Sequence, residues 1–374
     1  MPTAEFRLYL DNQAADAETL ARFGEIRIDQ GIGMATEAEL KMNLSAGEQG
    51  CWNEDNGGME QDFAQPAVRV RIDVKVGEDG EFVPLIDGPI VGNRFELTAE
   101  AGGSQMTLVV QDDSVLLNRD ERVQLFEDKR ADEIATELFE EFGLEAEVDT
   151  MPDAGATLTR YTVQRGTAMQ LLRELARQHG AYLYVKPGTA PGSSIGVFQA
   201  AQLGTSELPE LLLLGPQRNV SSFRAEVDAT RPMTATAYNV SATDKTVLTG
   251  TLDTPDLETL GDEAAHDVLT PARTLLARGR EEQSDLDEAT RAAVNLSSFA
   301  YSASGEVSAD GYAGVLQPHQ TVAVAGVGGF LSGTYLIARV THMLTDASYR
   351  QQFELKRNAR SAGHMGGGAS GGIV

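Results

Sequence analysis

The chain has 374 residues, 41% of them hydrophobic, and its 56 acidic and 30 basic residues give a net charge of −26. So acidic a surface disfavours nucleic-acid binding, because contacts with phosphates depend on lysine and arginine. No run of 18 apolar residues and no secretory signal is present, so we expect neither membrane insertion nor secretion by a leader.

The first part of the chain, to about residue 115, predicts strands. Apolar residues alternate with polar ones at 6–10, 25–30, 38–45 and 68–76, which is the period of a half-buried strand. Residues 47–65 are rich in glycine, asparagine and acid, and this composition predicts a mobile loop.

The periodicity then changes to that of helices. Ile134, Leu138 and Phe142 share one face of a helix predicted at 130–142, for which Asp128 is the candidate cap. Thr167 is the candidate N-cap of a second helix that ends before Gly180. A strand at 181–185, a turn at 187–192 and a returning strand at 195–198 complete a small α+β unit.

Strand patterns resume between 218 and 251, and residues 252–283 form a polar, acidic insertion. A helix at 286–296 leads into further strands at 320–324 and 333–342. The glycine-rich residues 326–333 predict a hairpin loop, because they lack phosphate-loop spacing and lead into a strand. The tail at 363–372 lacks the apolar content to fold alone.

One β module occurs twice along the chain. Aligning Gly88 with Gly333 superimposes Arg94 on Arg339, and residues 106–110 then meet 351–355 without a gap. Each copy follows an alternating strand. Such pseudo-symmetry is more often a feature of architecture than of catalysis.

The residues that carry chemistry do not form a recognisable site. The five histidines show no metal-binding spacing, and Cys51, the single cysteine, has no histidine nearby in sequence. His342, near the end of a strand, is interpreted as a packing or polar contact. The pairs Asp112–Asp113 and 281–282 are interpreted as solvated carboxylates. We therefore predict no catalytic, cofactor-binding or metal-binding residue, and no enzyme.

Four motifs, taken in order, carry a resemblance to a known family. They are LVVQD at 108–112, RADEIA at 130–135, the segment from YTVQRGT to AYLYV at 161–185, and the three strands from 305 to 358. The chain resembles the baseplate hub proteins of contractile tails: the phage late control protein D family and the N-terminal half of VgrG proteins of type VI secretion. The resemblance spans about residues 60 to 358, and residues 1–60 and 252–283 match nothing in it.

The resemblance implies a mainly β fold with two related tube-type β-barrel domains and a small α+β domain. The implied segments are a first barrel at 1–117, an α+β domain at 118–215, a β-rich segment at 216–285, a second barrel at 286–360 and a flexible tail at 361–374.

It also implies a homotrimer whose six barrels join a six-fold inner tube to a three-fold spike. Because VgrG proteins continue into a spike, we expect a separate spike protein as a partner. The other expected partners are an inner tube or tube initiator and baseplate wedge proteins, while DNA or effector cargo would pass through the lumen without specific binding. The location would be a virion tail baseplate or an injection particle, assembled in the host cytoplasm; phage, bacteriocin and extracellular injection system all stay open.

Seven residues on three strands are our candidates for the ring interface: Val70, Ile72, Val74, Val322, Val324, Tyr335 and Ile337. Two other functions stay open, a tail-associated peptidoglycan-degrading enzyme and a receptor-binding tail protein. The single tryptophan and 6% aromatic content offer little for stacking on sugars.

Overall fold

The computed structural model describes residues 4–44, 68–100, 102–151, 161–241, 243–277, 282–345 and 347–362. The predicted loop at 47–65, Cys51 and the tail beyond 362 lie outside these ranges. The chain divides into two compact units, one of Met1–Ala201, Ser308–Pro318 and Arg339–Gln352, the other of Gln202–Val307, His319–Ala338 and Phe353–Val374. This division into two units does not test the bounds of the five segments implied by the resemblance, and those bounds stay predictions.

An antiparallel sheet forms the first part of unit 1. Its strands, β3-β4-β7-β6-β5-β1-β2 in spatial order, bury one face in a core that includes Ile28, Leu40 and Ile72. Two single-turn helices accompany it. The elements are β1 Ala4–Leu10, β2 Gln13–Ala14, α1 Ala17–Leu20, β3 Phe23–Gly31, β4 Glu37–Asn43, β5 Arg69–Val76, β6 Val83–Glu96, β7 Gln105–Gln111 and α2 Ser114–Leu117. The four strands predicted from alternation are confirmed.

The α+β part of unit 1 follows. Its elements are β8 Arg122–Glu127, α3 Ala131–Glu141, β9 Glu145–Val148, β10 Tyr161–Gly166, α4 Ala168–His179, β11 Tyr182–Pro187 and β12 Ser194–Gln199. Strands β8 and β10 pair with each other, and β12 lies between β11 and β9. The predicted hairpin is confirmed as the antiparallel pair β11–β12.

The two long helices of this part differ in how they begin. Thr167 caps α4 as predicted: its Oγ1 accepts the N–H of Gln170 at 3.2 Å, and Gln170 Oε1 accepts the N–H of Thr167 at 3.1 Å, which is a capping box. The predicted cap of α3 is wrong. Asp128 has a φ of 53° and lies in a left-handed turn, so Arg130 occupies the N-cap position instead.

Unit 2 contains mostly short strands and one long helix. Its elements are β13 Leu211–Leu212, β14 Val220–Val227, β15 Met233–Val240, β16 Val247–Leu252, β17 Glu263–Ala264, α5 Ala265–Val268, β18 Ala272–Ala277, α6 Gln283–Ser297, β19 Tyr301–Ser308, β20 Thr321–Ala325, β21 Gly333–Thr345, β22 Ser348–Arg357 and β23 Ala359–Arg360. Strands β21 and β22 each have residues in both units, since residues 339–352 belong to unit 1. The fold class is confirmed as mainly β with a smaller α+β part.

The strand order agrees with the predicted duplication. Both β5-β6-β7 and β20-β21-β22 are sets of three consecutive strands in which each is hydrogen-bonded to the next. Gly88 pairs with Val70 in the first set, and Gly333 pairs with Val324 in the second. The glycine-rich residues 326–332 form the loop of the β20–β21 hairpin, as predicted, and Gly333 is the first residue of β21.

Candidate functional site

The seven predicted interface residues all lie inside the folded chain. Val70, Ile72, Val74, Val322, Val324, Tyr335 and Ile337 are each at most 2% exposed. Strand β5 is hydrogen-bonded to β1 on one side and β6 on the other, and β20 lies between β13 and β21. A charge at Ile72 or Val324 would therefore test core packing. The assignment of these strands to a ring interface stays a prediction.

A buried ionic cluster lies beside β5. The carboxylate of Asp87, whose side chain is 0% exposed, accepts hydrogen bonds from Arg69 Nε at 2.6 Å and from Arg71 Nη1 at 3.4 Å. Arg69 also binds Asp113 at 2.7 Å, and Arg71 binds Asp73 at 2.8 Å. Burial lowers the pKa of Arg69, but the hydrogen bonds and charges of Asp113 and Asp87 together outweigh burial, so this pKa is raised.

The cluster also holds the hairpin loop between β11 and β12. Arg71 Nη1 donates to the carbonyl oxygens of Gly188 at 2.7 Å and Ala190 at 3.0 Å. The N–H of Gly192 donates to Asp87 at 2.9 Å. These side chains therefore fasten the α+β part of unit 1 to its first sheet. All five side chains of the cluster are therefore engaged in contacts within the folded chain.

The interpretation of Asp112 and Asp113 as solvated carboxylates is wrong. They are 3% and 5% exposed. Asp112 accepts the N–H of Thr36 at 2.5 Å and that of Ser114 at 3.0 Å, and burial raises its pKa to about 6. Asp113 binds Arg69, so both carboxylates have partners within the folded chain.

A buried polar chain crosses the core of unit 1 at His342. Its Nε2 lies 3.0 Å from Oε1 of Gln30, whose amide nitrogen donates to the carbonyl oxygen of Leu85 at 2.7 Å. Because Oε1 can only accept, Nε2 carries the proton, and Nδ1 accepts from the hydroxyl of Tyr349 at 2.8 Å. The prediction of a polar contact between strands at His342 is confirmed.

We expect this histidine to make stability depend on pH. Burial lowers the pKa of His342 to about 3 from 6.5. The unfolded chain therefore binds more protons between these values, and the free energy of unfolding rises with pH across that window. Replacing His342→Gln should make this rise shallower, which urea denaturation at pH 4, 5, 6 and 7 measures.

A control with the opposite sign exists in the same unit. The raised pKa of Asp112, about 6 against 3.8, means that the folded chain binds more protons in that interval. Its contribution to stability therefore falls as pH rises, and Asp112→Asn should make the overall rise steeper. Equal slopes in the wild type and both variants would contradict the assignment.

A cleft of about 380 Å³ opens on unit 2, beside β14, β19 and β22. Arg224, Arg231 and Lys356 line it together with Glu226 and Glu354. Burial lowers the pKa of Lys356 to about 8, and its ammonium lies 4.7 Å from the ring centre of Phe299. Because the residues that line the cleft are far apart in sequence, no sequence pattern predicts it. Cations and carboxylates alternate there, so it presents no dominant charge to a ligand.

Metal-ligand groups and membrane-spanning helices were sought among the residues that the structure describes. There, no three histidine, cysteine, aspartate or glutamate side chains are grouped so that they could hold a metal ion. Among the described helices, none is both long and apolar enough to span a bilayer. Two sheet faces carry exposed apolar side chains, one on β8 and β10 and the other on β15, β16 and β18.

The fold is shared with phage tail and type VI secretion proteins. The 43 kDa tail protein of prophage MuSo2 from Shewanella oneidensis matches with a TM-score of 0.65 and 15% identity over 95% of this chain and 99% of its own. A tail protein from Neisseria meningitidis MC58 matches with 0.64 and 13%, over 94% and 97%. The E. coli c3393 protein, a component of the type VI secretion system, matches with 0.55 and 10%, over 95% and 76%. The chain therefore has a tail-protein fold along almost its whole length.

The family follows from the sequence comparison. A family model described as the Alg8 N-terminal domain matches residues 60–346, and the chain belongs to that family. No curated protein matches the sequence.

Proposed function

We propose that the chain is a structural hub in the baseplate of a contractile tail or injection particle. In this role three copies join a six-fold inner tube to a three-fold central spike. The observation that carries the proposal is the fold, which two tail proteins share over 99% and 97% of their own lengths. Partners of such a hub are a spike, an inner tube or tube initiator, and baseplate wedge proteins.

The two three-stranded sets in one chain give the proposal its geometry. Three copies of a chain that carries β5-β6-β7 and β20-β21-β22 present six similar strand sets, which suits a six-fold tube. The same three copies keep three-fold symmetry toward a spike. Duplication within a trimer is thus a physical way to connect two symmetries.

The proposed role needs no catalysis. Glycoside hydrolysis needs two carboxyl groups in a cleft, one of them with a raised pKa. Burial raises the pKa of Asp73 and Asp112, but Asp73 pairs with Arg71, Asp112 accepts two backbone N–H groups, and neither lines the cleft on unit 2. We expect no clearing in a peptidoglycan zymogram. Clearing by the purified chain would favour the tail-associated hydrolase instead.

The mass in solution tests the hub. Light scattering of the purified chain alone should give a species near three times 40.1 kDa. With the spike protein encoded beside it, the complex should have the mass of three chains plus that of the bound spike. A trimer that forms only with the spike also supports the role. A strict monomer under both conditions contradicts it.

A further inference from the structure

The charges of the cleft on unit 2 are not evenly spread. Three cations, Arg224, Arg231 and Lys356, line it against two carboxylates, those of Glu226 and Glu354. Its volume of about 380 Å³ suits a small molecule. The chain as a whole has a net charge of −26 and repels anions over most of its surface. A place where cations are in excess is therefore the place at which an anion can bind.

Two of the cations lie at the same end of the cleft. The N–H of Asp228 donates to the carbonyl oxygen of Ala300 at 2.9 Å, which holds the turn after β14 beside the start of β19. Arg231 belongs to that turn, since its N–H donates to the carbonyl oxygen of Asp228 at 3.3 Å. Phe299 comes directly before Ala300, and the ammonium of Lys356 lies 4.7 Å from the centre of its ring. We call this part of the cleft the Lys356 end.

The positive charge at the Lys356 end is not compensated by the glutamates of the cleft. Burial is the larger effect on the ammonium of Lys356 and the charge of Arg231 is the second, and together they lower its pKa to about 8. A carboxylate close to the ammonium would act in the opposite direction, and neither Glu226 nor Glu354 outweighs these two effects. An anion at this end would relieve the repulsion between the two cations.

The guanidinium groups of Arg224 and Arg231 are not paired within the chain. Among the residues that the structure describes, none forms a hydrogen bond or an ion pair with either group. Asp228, in the same turn as Arg231, instead accepts the N–H of Thr230 at 3.0 Å and its hydroxyl at 2.7 Å. Guanidinium groups bind oxyanions through two parallel N–H donors, so both arginines are available to a ligand.

We propose that the Lys356 end of the cleft binds a tetrahedral oxyanion, the phosphate group of a small molecule. A phosphate group presents several oxygens at once, so one can accept from Arg231 and another from Lys356, which lie on different elements of the fold. The hydroxyl of Ser302, which also lines the cleft, is a further donor. Glu226 lies opposite Ser302 across β14 and β19, and its carboxylate opposes the binding. This inference goes beyond the proposed hub and does not rest on it.

Sulfate, a tetrahedral dianion whose charge does not change between pH 7 and 9, is the probe. Equilibrium dialysis with radiolabelled sulfate at constant ionic strength should show saturable binding of one ion per chain. Arg231→Gln should weaken this binding about tenfold, the usual effect of losing a hydrogen bond to a charged group, and Glu226→Gln should tighten it. Arg218→Gln is the matched control: Arg218 is an exposed arginine of unit 2 that does not line the cleft, and this variant should bind like the wild type.

The binding should also depend on pH through Lys356. At pH 9 only about one tenth of a group with a pKa of about 8 is still charged, so the wild type should bind sulfate up to about tenfold more weakly than at pH 7. Lys356→Gln should bind sulfate more weakly at pH 7 and lose this dependence. The other charged groups that line the cleft, Arg224, Glu226, Arg231 and Glu354, are guanidinium and carboxylate groups, which ordinarily keep their charge across this range.

Competition against sulfate identifies the source of the phosphate group. Tighter binding of phenyl phosphate than of inorganic phosphate indicates a phosphate ester, and equal binding indicates free phosphate. Arg231 is exposed, so far-UV circular dichroism of its variant should match the wild type. No saturable binding of sulfate to the wild type, or equal binding to the wild type and Arg231→Gln, overturns the site. Either result leaves the hub standing, because the mass in solution is measured independently.

Discussion

Replacing Asp87→Ala is expected to lower the free energy of unfolding by about 3–5 kcal/mol, the usual effect of removing one partner from a buried ion pair. The carboxylate is 0% exposed and holds two arginines, Arg69 and Arg71. Without it, Arg69 keeps Asp113 and Arg71 keeps Asp73, but both guanidinium groups lose a buried acceptor. The N–H of Gly192 also loses its acceptor at 2.9 Å. Urea denaturation monitored by circular dichroism measures the loss.

The control for this substitution is an exposed ion pair. Glu18→Ala removes the partner of Arg22 at 3.8 Å, where the glutamate side chain is 79% exposed, and it should change stability by less than about 1 kcal/mol. Limited proteolysis adds a local readout, because the loop at 188–194 should be cut faster in the Asp87 variant. A loss in the Asp87 variant no larger than in the control would mean that the cluster does not hold the loop.

The sequence is informative where local patterns decide the structure. Alternation at 68–76 predicts β5, which the structure has at Arg69–Val76, and Thr167 and Gly180 mark the two ends of α4. In each case the interactions that decide the conformation lie within a few residues of chain, so a single sequence contains them. The doubling of the β module is visible for a similar reason, since each copy keeps its own local pattern.

Contacts between residues that are far apart in sequence cannot be predicted from local patterns. His342 meets Gln30 across 312 positions of sequence, and Arg71 meets Gly188 across 117. No spacing rule connects these residues. The wrong interpretation of Asp112 and Asp113 has the same origin. Two adjacent acidic residues suggest solvent exposure, but Asp112 contacts Thr36 and Asp113 contacts Arg69, both far away in sequence. The predicted interface residues show a further limit of sequence patterns. Alternation indicates which side chains are buried, but it does not say whether they are buried in the core of the chain or against another chain.

Charged side chains are distributed unevenly over the sheet surfaces of the chain. Along β3 and β4, carboxylates are matched by cations, as in the pairs Lys41–Glu25 at 2.8 Å and Arg339–Asp29 at 3.3 Å. The outward positions of β15 and β16 instead carry no charge. Exposed ion pairs contribute little stability, so the two sheet faces differ in surface charge rather than in what their ion pairs add to folding.

Replacing Gly88→Ala is expected to destabilise the chain by about 3 kcal/mol or more, at or beyond the upper end of the usual cost of overpacking. An added Cβ would lie 1.9 Å from the carbonyl oxygen of Gln111 and 3.0 Å from Cα of Asp112. Both are backbone atoms, so no side-chain rotation relieves the clash. The backbone there is itself fixed, because Asp112 donates its N–H to the oxygen of Thr36 at 3.0 Å and accepts the N–H of Thr36 at 2.5 Å.

The matched control lies four residues along the same strand. A Cβ at Gly92 meets nothing within 4 Å, so Gly92→Ala should change the free energy of unfolding by less than about 0.5 kcal/mol. Urea denaturation of both variants measures the difference, and soluble yield gives a second readout if the Gly88 variant fails to fold. Similar stability of the two variants would show that β7 can move away from β6 at Gln111. In that case, steric room would not explain why the first copy of the β module has a glycine at position 88. Gly333, which corresponds to it in the second copy, has its own reason: a φ of 136° and the guanidinium of Arg357 at 2.5 Å from an added Cβ.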